Sequence, residues 1–101
     1  MASISSIASS GLQAAQLRLD ASANNVANMN TSGYRREAVA QQADADGAGV
    51  RATLQREQDA KGVALEQEAV EQISATYAFK ANLQTLKTQD AMMGSLLDVK
   101  A

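Results

Sequence analysis

The sequence predicts a mainly α fold, in which two long terminal helices form an antiparallel, coiled-coil-like hairpin around a short β-hairpin or extended arm. Two observations support this fold class. Apolar and small residues recur at three- and four-residue spacing near both ends of the chain, which is the period of a packed helix. Between them, residues 36–58 alternate in polarity around a glycine- and aspartate-rich turn, as a β-ribbon does. We expect one domain over residues 1–101, with helices at about 3–28 and 63–99 and the turn and arm at about 29–62.

The first predicted helix has a nearly heptad-spaced seam. Its seam positions are Ile4, Ala8, Leu12, Ala15, Leu19, Ser22 and Val26. Ile7 and Gly11 widen the seam, and Gly11 suits a close helix approach despite a helix cost of about 1 kcal/mol relative to alanine. Arg18 and Asp20 are the only charged residues in the segment, whereas an exposed helix of this length normally carries more. We expect this helix to be buried among several neighbours; an alanine- and serine-rich helix that is merely weakly charged is the alternative.

Four asparagines crowd the end of this helix: Asn24, Asn25, Asn28 and Asn30. Asparagine is a poor helix former because its amide competes for nearby backbone groups. One interpretation is a polar C-cap, followed by a turn in which Gly33 has a positive φ and Tyr34 covers the helix end. The other is an amide ladder, formed by Asn24, Asn25 and Asn28, that hydrogen-bonds a neighbouring helix and fixes its register.

The middle segment is predicted to be a β-hairpin or an extended arm with its tip near Asp46 and Gly47. A two-stranded ribbon alone is barely stable in water, so we expect it to lie on the helices or on another subunit, or to be flexible. Asp44 and Asp46 stand close to Gly47, but the other ligands and the closing glutamate of a calcium-binding loop are missing. We therefore expect no metal site.

The second predicted helix is about 50 Å long, and a helix of that length without an internal breaker favours a coiled coil. Its seam positions are Leu65, Ala69, Ile73, Thr76, Lys80, Leu83, Leu86 and Met93. Val70 and Tyr77 flank one side of this seam and Phe79 the other. Met93 and Leu97 belong to an apolar C-terminal stretch. Glu66, Glu68 and Glu71 are expected to be solvated carboxylates near the helix start, where the macrodipole favours them.

Composition predicts self-association. The chain is 46% hydrophobic but only 3% aromatic, so many of its apolar side chains are alanines with little area to bury. A domain of 101 residues with so thin a core is marginal unless association adds burial.

Several classes of function are disfavoured. The chain has no histidine and no cysteine, which removes the usual general base, nucleophile pairs and metal ligands. We expect no enzyme activity, cofactor or small-molecule substrate. A net charge of −2 argues against nucleic-acid binding, and no run approaches the ~20 apolar residues of a membrane span. Residues 1–7 have neither a basic nor a continuous apolar region, so we expect no cleaved signal peptide.

Three N-terminal segments, Ser10–Gln16, Leu19–Asn28 and Asn30–Arg36, resemble the N-terminal signature of bacterial flagellar axial proteins. This family comprises the rod, hook and hook-associated proteins, and Ser32 stands where its turn usually has proline. Residues Glu68–Leu83 resemble the family's C-terminal helix. The short middle segment is most similar to that of the short proximal rod proteins.

The resemblance implies a structural subunit of the flagellar basal-body rod, or of a related axial structure. It implies export through the flagellar type III apparatus without a cleaved signal, and a place in the periplasm-spanning rod. The expected partners are copies of the chain and other axial proteins, stacked through open heterologous contacts. Periodicity alone fits equally well a soluble helical adaptor or regulator that forms a closed dimer or four-helix bundle. An interfacial membrane helix is a weaker third possibility, since the first helix lacks a basic face.

The hypothesis assigns the assembly interface to both helices and the turn between them. The predicted interface residues are Ile4, Ile7, Gly11, Leu12, Leu19, Asn24, Asn25, Val26, Asn28, Gly33, Tyr34, Val70, Ile73, Tyr77, Phe79, Leu83, Leu86, Met93 and Leu97. Among them, the three asparagines of the ladder are expected to set the register between subunits.

Overall fold

The predicted architecture is confirmed. A computed structural model describes residues 3–58 and 62–100, without the side chains of residues 46, 99 and 100. The elements in chain order are α1 (Ile4–Ala27), β1 (Glu37–Ala43), β2 (Val50–Arg56) and α2 (Leu65–Lys100). At 1.5 Å per residue, the 24 residues of α1 and the 36 of α2 are about 36 and 54 Å long.

The ends of α1 are set by polar caps. The Oγ of Ser3 accepts a hydrogen bond from the main-chain nitrogen of Ser6 at 3.1 Å, which satisfies one of the amides that a helix start leaves unpaired. At the other end, the backbone amide of Asn28 donates to the oxygen of Asn24 at 3.1 Å. The chain then turns through Gly33, whose φ of 73° confirms the predicted left-handed position.

The two helices pack antiparallel in a heptad register. Asn25 of α1 bonds Glu68 of α2, and fourteen residues further along both helices Gly11 lies against Asn82. A Cβ built on Gly11 would lie 2.6 Å from Cγ of Asn82, which is far inside van der Waals contact. The predicted use of Gly11 for a close helix approach is therefore confirmed.

The face of α1 that packs on α2 shares Ala8, Ala15 and Ser22 with the predicted seam but differs from it elsewhere. Its members follow a spacing of three and four residues and are Ala8, Gly11, Ala15, Arg18, Ser22 and Asn25. The large members of the predicted seam, Leu12, Leu19 and Val26, are only half-buried, and Ile4 is exposed. Small and polar side chains, rather than leucines, occupy the contact with α2.

The residues of α2 that pack on α1 are not those of the predicted seam. The residues that contact or bond α1 include Glu68, Glu71, Gln72 and Asn82, and Ala75 on the same face is fully buried. The predicted seam lies on another face. Seven of its eight members are exposed in the single chain: Leu65, Ala69, Ile73, Thr76, Lys80, Leu83 and Met93. The period was correct but its phase was not, because small and polar side chains, rather than the larger apolar ones, occupy the contact with α1.

The middle segment is a β-hairpin docked on α1. Strands β1 and β2 pair antiparallel from Glu37 opposite Arg56 to Ala43 opposite Val50, around a short 3₁₀ turn at Ala45–Gly47. The Oγ of Ser10 on α1 accepts a hydrogen bond from the main-chain nitrogen of Val50 at 3.0 Å. The ribbon thus lies on a helix, as its marginal stability requires.

The apolar core is thin. Among the residues that the structure describes, its buried apolar members are all alanines: Ala8, Ala14, Ala15, Ala21 and Ala75. The molecule measures 63 × 26 × 14 Å and exposes 7039 Å², whereas a compact monomer of 10.6 kDa would expose roughly 5,500 Å². The expectation that this chain cannot fill an interior of its own agrees with these dimensions.

Candidate assembly interface

A buried polar cluster joins the two helices where α1 ends and α2 begins, which we call the closed end. Its centre is Asn25, whose side chain is 1% exposed. The Nδ2 of Asn25 donates to the main-chain oxygen of Glu37 at 2.8 Å and to Oε1 of Glu68 at 3.0 Å. Its Oδ1 accepts from the main-chain nitrogen of Glu37 at 2.7 Å and from the Tyr34 hydroxyl at 3.1 Å. These bonds use both donors and both lone pairs of the amide.

The carboxylate of Glu68 is completely buried and is paired with Arg36. The Nε of Arg36 donates to Oε2 of Glu68 at 2.7 Å, and its Nη1 donates to Oε1 of Glu57 at 3.3 Å. Burial has the largest single effect and lowers the pKa of Arg36, but hydrogen bonds and charge from Glu68 and then Glu57 together raise the pKa above its ordinary value. Throughout the described residues, no buried side-chain nitrogen or oxygen lacks a hydrogen-bond partner.

Two further ion pairs extend the cluster along its edges. The Nη2 of Arg56 donates to Oε1 of Glu37 at 2.7 Å, and its guanidinium lies 5.5 Å from the centre of the Tyr34 ring, within cation–π range. On the helix contact, Nε of Arg18 donates to Oε1 of Glu71 at 2.7 Å. The cluster therefore ties α1, the turn, both strands and α2 together at one end of the molecule.

The amide-ladder interpretation applies to Asn25, and the C-cap interpretation applies to Asn28. Asn25 bonds a neighbouring helix, as the ladder hypothesis expected, but that helix belongs to the same chain. Asn28 is a cap: its Nδ2 donates to the main-chain oxygen of Asn24 at 2.9 Å, and its Oδ1 accepts from the Thr31 hydroxyl at 3.2 Å. The side chain of Asn24 is exposed. A role for these residues in the register between subunits stays a prediction.

Sequence reasoning missed Glu68 as a member of this site. It was expected to be solvated, like Glu66 and Glu71, whereas its side chain is completely buried. The signal that could have found it is heptad phase: Glu68 stands seven residues before Ala75 and fourteen before Asn82, and these three positions share the face that packs on α1.

The predicted interface residues differ in their exposure in the single chain and fall into three groups. The exposed ones are Ile4, Ile7, Asn24, Gly33, Val70, Ile73, Tyr77, Leu83, Met93 and Leu97. Those half-buried against other parts of the chain are Gly11, Leu12, Leu19, Val26, Asn28, Tyr34, Phe79 and Leu86, while Asn25 is fully buried. Most of the large apolar members of α2, and Ile4 and Ile7 of α1, therefore remain available to a partner.

The outer face of α2 is one such surface. Val70, Ile73 and Tyr77, at three- and four-residue spacing, are 66, 58 and 71% exposed. Ile73 and Tyr77 also line an open groove of about 500 Å³ with Ala69, Thr76 and Lys80. A soluble monomer rarely leaves a contiguous apolar surface of this kind uncovered, and such surfaces mark contacts with other molecules.

Two other features, a metal-ion site and a membrane-spanning helix, are absent from the described residues. Among residues 3–58 and 62–100, no group of three or more acidic side chains is placed to hold a metal ion. Within the same residues, neither helix is long and apolar enough to cross a membrane.

Comparison with known families decides the identity of the chain. A family model described as "Flagella basal body rod protein" matches residues 6–35, and one described as "Flagellar basal body rod FlgEFG protein C-terminal" matches residues 60–99. The chain belongs to the flagellar rod and axial protein family. No match was found among curated proteins.

The family match assigns the chain a structural role in the flagellar basal-body rod, in contact with other axial proteins. Both matched families are structural components of the flagellum and not enzymes. The first match covers most of α1 and of the turn, and the second covers α2 up to residue 99, so the hairpin falls between them. Asn25 and Glu68 lie in different matched segments, and their hydrogen bond holds those segments together.

Proposed function

We propose that this chain is a rod subunit that assembles through the outer apolar faces of its two terminal helices, with copies of itself and with other axial proteins. The distribution of apolar side chains supports this most directly. The contact between α1 and α2 contains small and polar residues, whereas Val70, Ile73 and Tyr77 face outward. Covering an exposed side chain of this size contributes roughly 1.5–3 kcal/mol, so three of them supply a substantial interface.

The proposal includes the route and place of assembly. The subunit is exported by the flagellar type III apparatus without a cleaved signal and becomes part of the periplasm-spanning rod. Its short middle segment supports a position like that of the short proximal rod proteins. It acts by packing and not by catalysis, and it needs no cofactor.

Concentration is the variable that tests the proposal. Purified chain is followed by sedimentation velocity and negative-stain electron microscopy as concentration rises, alongside an Ile73→Ser/Tyr77→Ser variant. We expect the wild-type chain to grow into open-ended assemblies and the variant to remain small, since both replaced side chains are exposed and contribute little to the monomer fold.

Gln84→Ser, an exposed polar position on the same helix, is the matched control and should assemble like the wild type. A fixed dimer or tetramer that stops growing would contradict the proposal and favour the closed adaptor instead.

A further inference from the structure

The C-terminal part of α2 extends beyond the end of α1. From the contact between Gly11 and Asn82, seven residues further along both helices lead to Ile4 and Gln89, which line one groove. Since α1 begins at Ile4 and α2 continues to Lys100, residues 90–100 extend about 16 Å past their helical partner. We call residues 90–98 the overhang.

The overhang continues the face of α2 that packs on α1. That face carries Glu68, Ala75, Asn82 and Gln89 at heptad intervals, and the next position is Leu96. Its character changes at the point where α1 stops, because the side chains become large and apolar. The exposed apolar residues here are Met92, Met93, Leu96 and Leu97, at 63, 54, 61 and 66% exposure. A helical contact established inside the chain is thus prolonged by a surface that the chain itself does not cover.

A complementary surface lies at the closed end of the molecule. Met29, Val63 and Ala64 line a groove of about 550 Å³ there, together with Gly62, Gln67 and the ion-paired side chains of Arg36 and Glu57. The overhang and this groove lie at opposite ends of the two-helix hairpin, and the molecule is 63 Å long. Two different surfaces at opposite ends of one molecule make a heterologous contact, which repeats without closing.

Charge favours the same pairing. Residues 88–98 contain Asp90 and Asp98 and no basic residue, and the C-terminus of a helix adds partial negative charge. In the turn at the closed end, residues 29–36, Arg36 is already paired with Glu57 and Glu68, whereas the side chain of Arg35 is exposed. Arg35 is therefore the basic residue of this turn that would face Asp90 and Asp98 of the next copy.

We infer that the overhang of one copy docks at the closed end of the next copy, in the groove lined by Met29, Val63 and Gln67, and so sets the axial contact of the assembly. This inference rests on the proposed function and deepens it by assigning axial growth to the two ends of the molecule. The outer face of α2, with Ile73 and Tyr77, is left for contacts between neighbouring stacks.

Disulfide trapping tests the contact directly, because the chain contains no cysteine. Leu97→Cys and Gln67→Cys chains are prepared separately, mixed and oxidised. We expect a covalent dimer with one chain of each kind, and a ladder of covalent oligomers from a chain that carries both substitutions. Gln55→Cys, an exposed position on the hairpin, replaces Gln67→Cys in the matched control and should trap little.

Two results would overturn the inference. A dominant Leu97→Cys homodimer would mean that overhangs pair with each other about a two-fold axis, and equal trapping of Gln55→Cys would mean random collision. Disulfides also trap weak contacts, so the experiment decides the question even if large assemblies are rare.

A second variant separates this inference from the proposed function. Met93→Ser/Leu97→Ser removes apolar area from the overhang alone, and we expect it to raise the concentration needed for assembly at least about tenfold. If the wild type assembles and this variant assembles equally well, the axial contact is wrong while the proposed function stands. If the wild type does not assemble at any concentration, the proposed function itself fails.

Discussion

Asn25 of α1 and Glu68 of α2 share a hydrogen bond of 3.0 Å, although both side chains are almost completely removed from solvent. The rest of the helix contact includes Ala8, Ala15 and Ala75. Alanines at heptad spacing pack almost equally well after a slip of seven residues, so they specify the register weakly. A buried polar pair would lose its partners on such a slip, and buried polar residues are known to fix helix register in this way. We conclude that the polar cluster gives this small domain one alignment.

Replacing Asn25 with leucine should unfold the closed end. The change removes one hydrogen-bond partner each from the Glu68 carboxylate, the Tyr34 hydroxyl and the backbone of Glu37, and each buried group left unsatisfied costs about 1–3 kcal/mol. We expect a loss of several kcal/mol in urea unfolding followed by circular dichroism. Asn24→Leu alters an exposed asparagine one position away and should change stability by less than about 0.5 kcal/mol. Equal effects of the two substitutions would rule out the assigned role of Asn25.

Removing the arginine that pairs with Glu68 should be nearly as harmful. Arg36→Met leaves a fully buried carboxylate without its cation, and breaking a buried ion pair on one side costs roughly 3–5 kcal/mol. Its neighbour Arg35 has an exposed side chain, so Arg35→Met is a matched control with little expected effect. Thermal unfolding of both variants measures the difference. A stable Arg36→Met chain would contradict the assigned role of this ion pair.

The pairing of Arg36 also predicts how stability depends on alkaline pH. Because its folded-state pKa is raised, the pairing stabilises the fold at every pH below the unfolded pKa and is lost only as pH rises through the folded one. Arginine loses its proton only at a pH above the range of ordinary buffers, whereas the ordinary pKa of lysine is about 10.4. In Arg36→Lys the same stabilisation should therefore disappear as pH rises through and above about 10.4.

The measurement is the difference in free energy of unfolding between the wild type and Arg36→Lys from pH 8 to pH 11. Taking the difference cancels the contributions to stability that both chains share. We expect the gap to widen above about pH 10, and a gap that stays constant would show that residue 36 does not titrate with folding.

Much of this architecture was accessible from the sequence, because it depends on local signals. The three- and four-residue periodicity predicted both helices, and the turn at Asp44–Gly49 predicted the hairpin. Gly33 was assigned its positive φ from its place after the helix. The family signatures lie on the helices and the turn, so the resemblance could be stated from residues alone.

The arrangement of the helices was less accessible, for a physical reason. The rule that large apolar residues face the core assumes that the core lies within one chain. Here Ile73 and Met93 face outward while Glu68 faces α1, so the rule predicted the face that we propose for assembly and missed the intramolecular contact. The ion pairs of Arg36 and Arg56 depend on where the hairpin returns to the helices, which periodicity does not encode.

Gly11 of α1 and Asn82 of α2 are in tight contact. Gly11→Ala would gain up to about 1 kcal/mol of helix propensity, but its Cβ would lie 2.6 Å from Cγ of Asn82. To make room, the Asn82 amide would have to leave its hydrogen bond to the main-chain oxygen of Ala78. In an Asn82→Ala background that obstacle is gone, so Gly11→Ala should stabilise the fold. In the wild type the same substitution should destabilise the fold or leave its stability unchanged. Urea unfolding of the wild type, the two single variants and the double variant gives the coupling energy, which we expect at about 0.5–3 kcal/mol for residues in contact. Strict additivity of the two substitutions would show that the helices do not approach each other at Gly11.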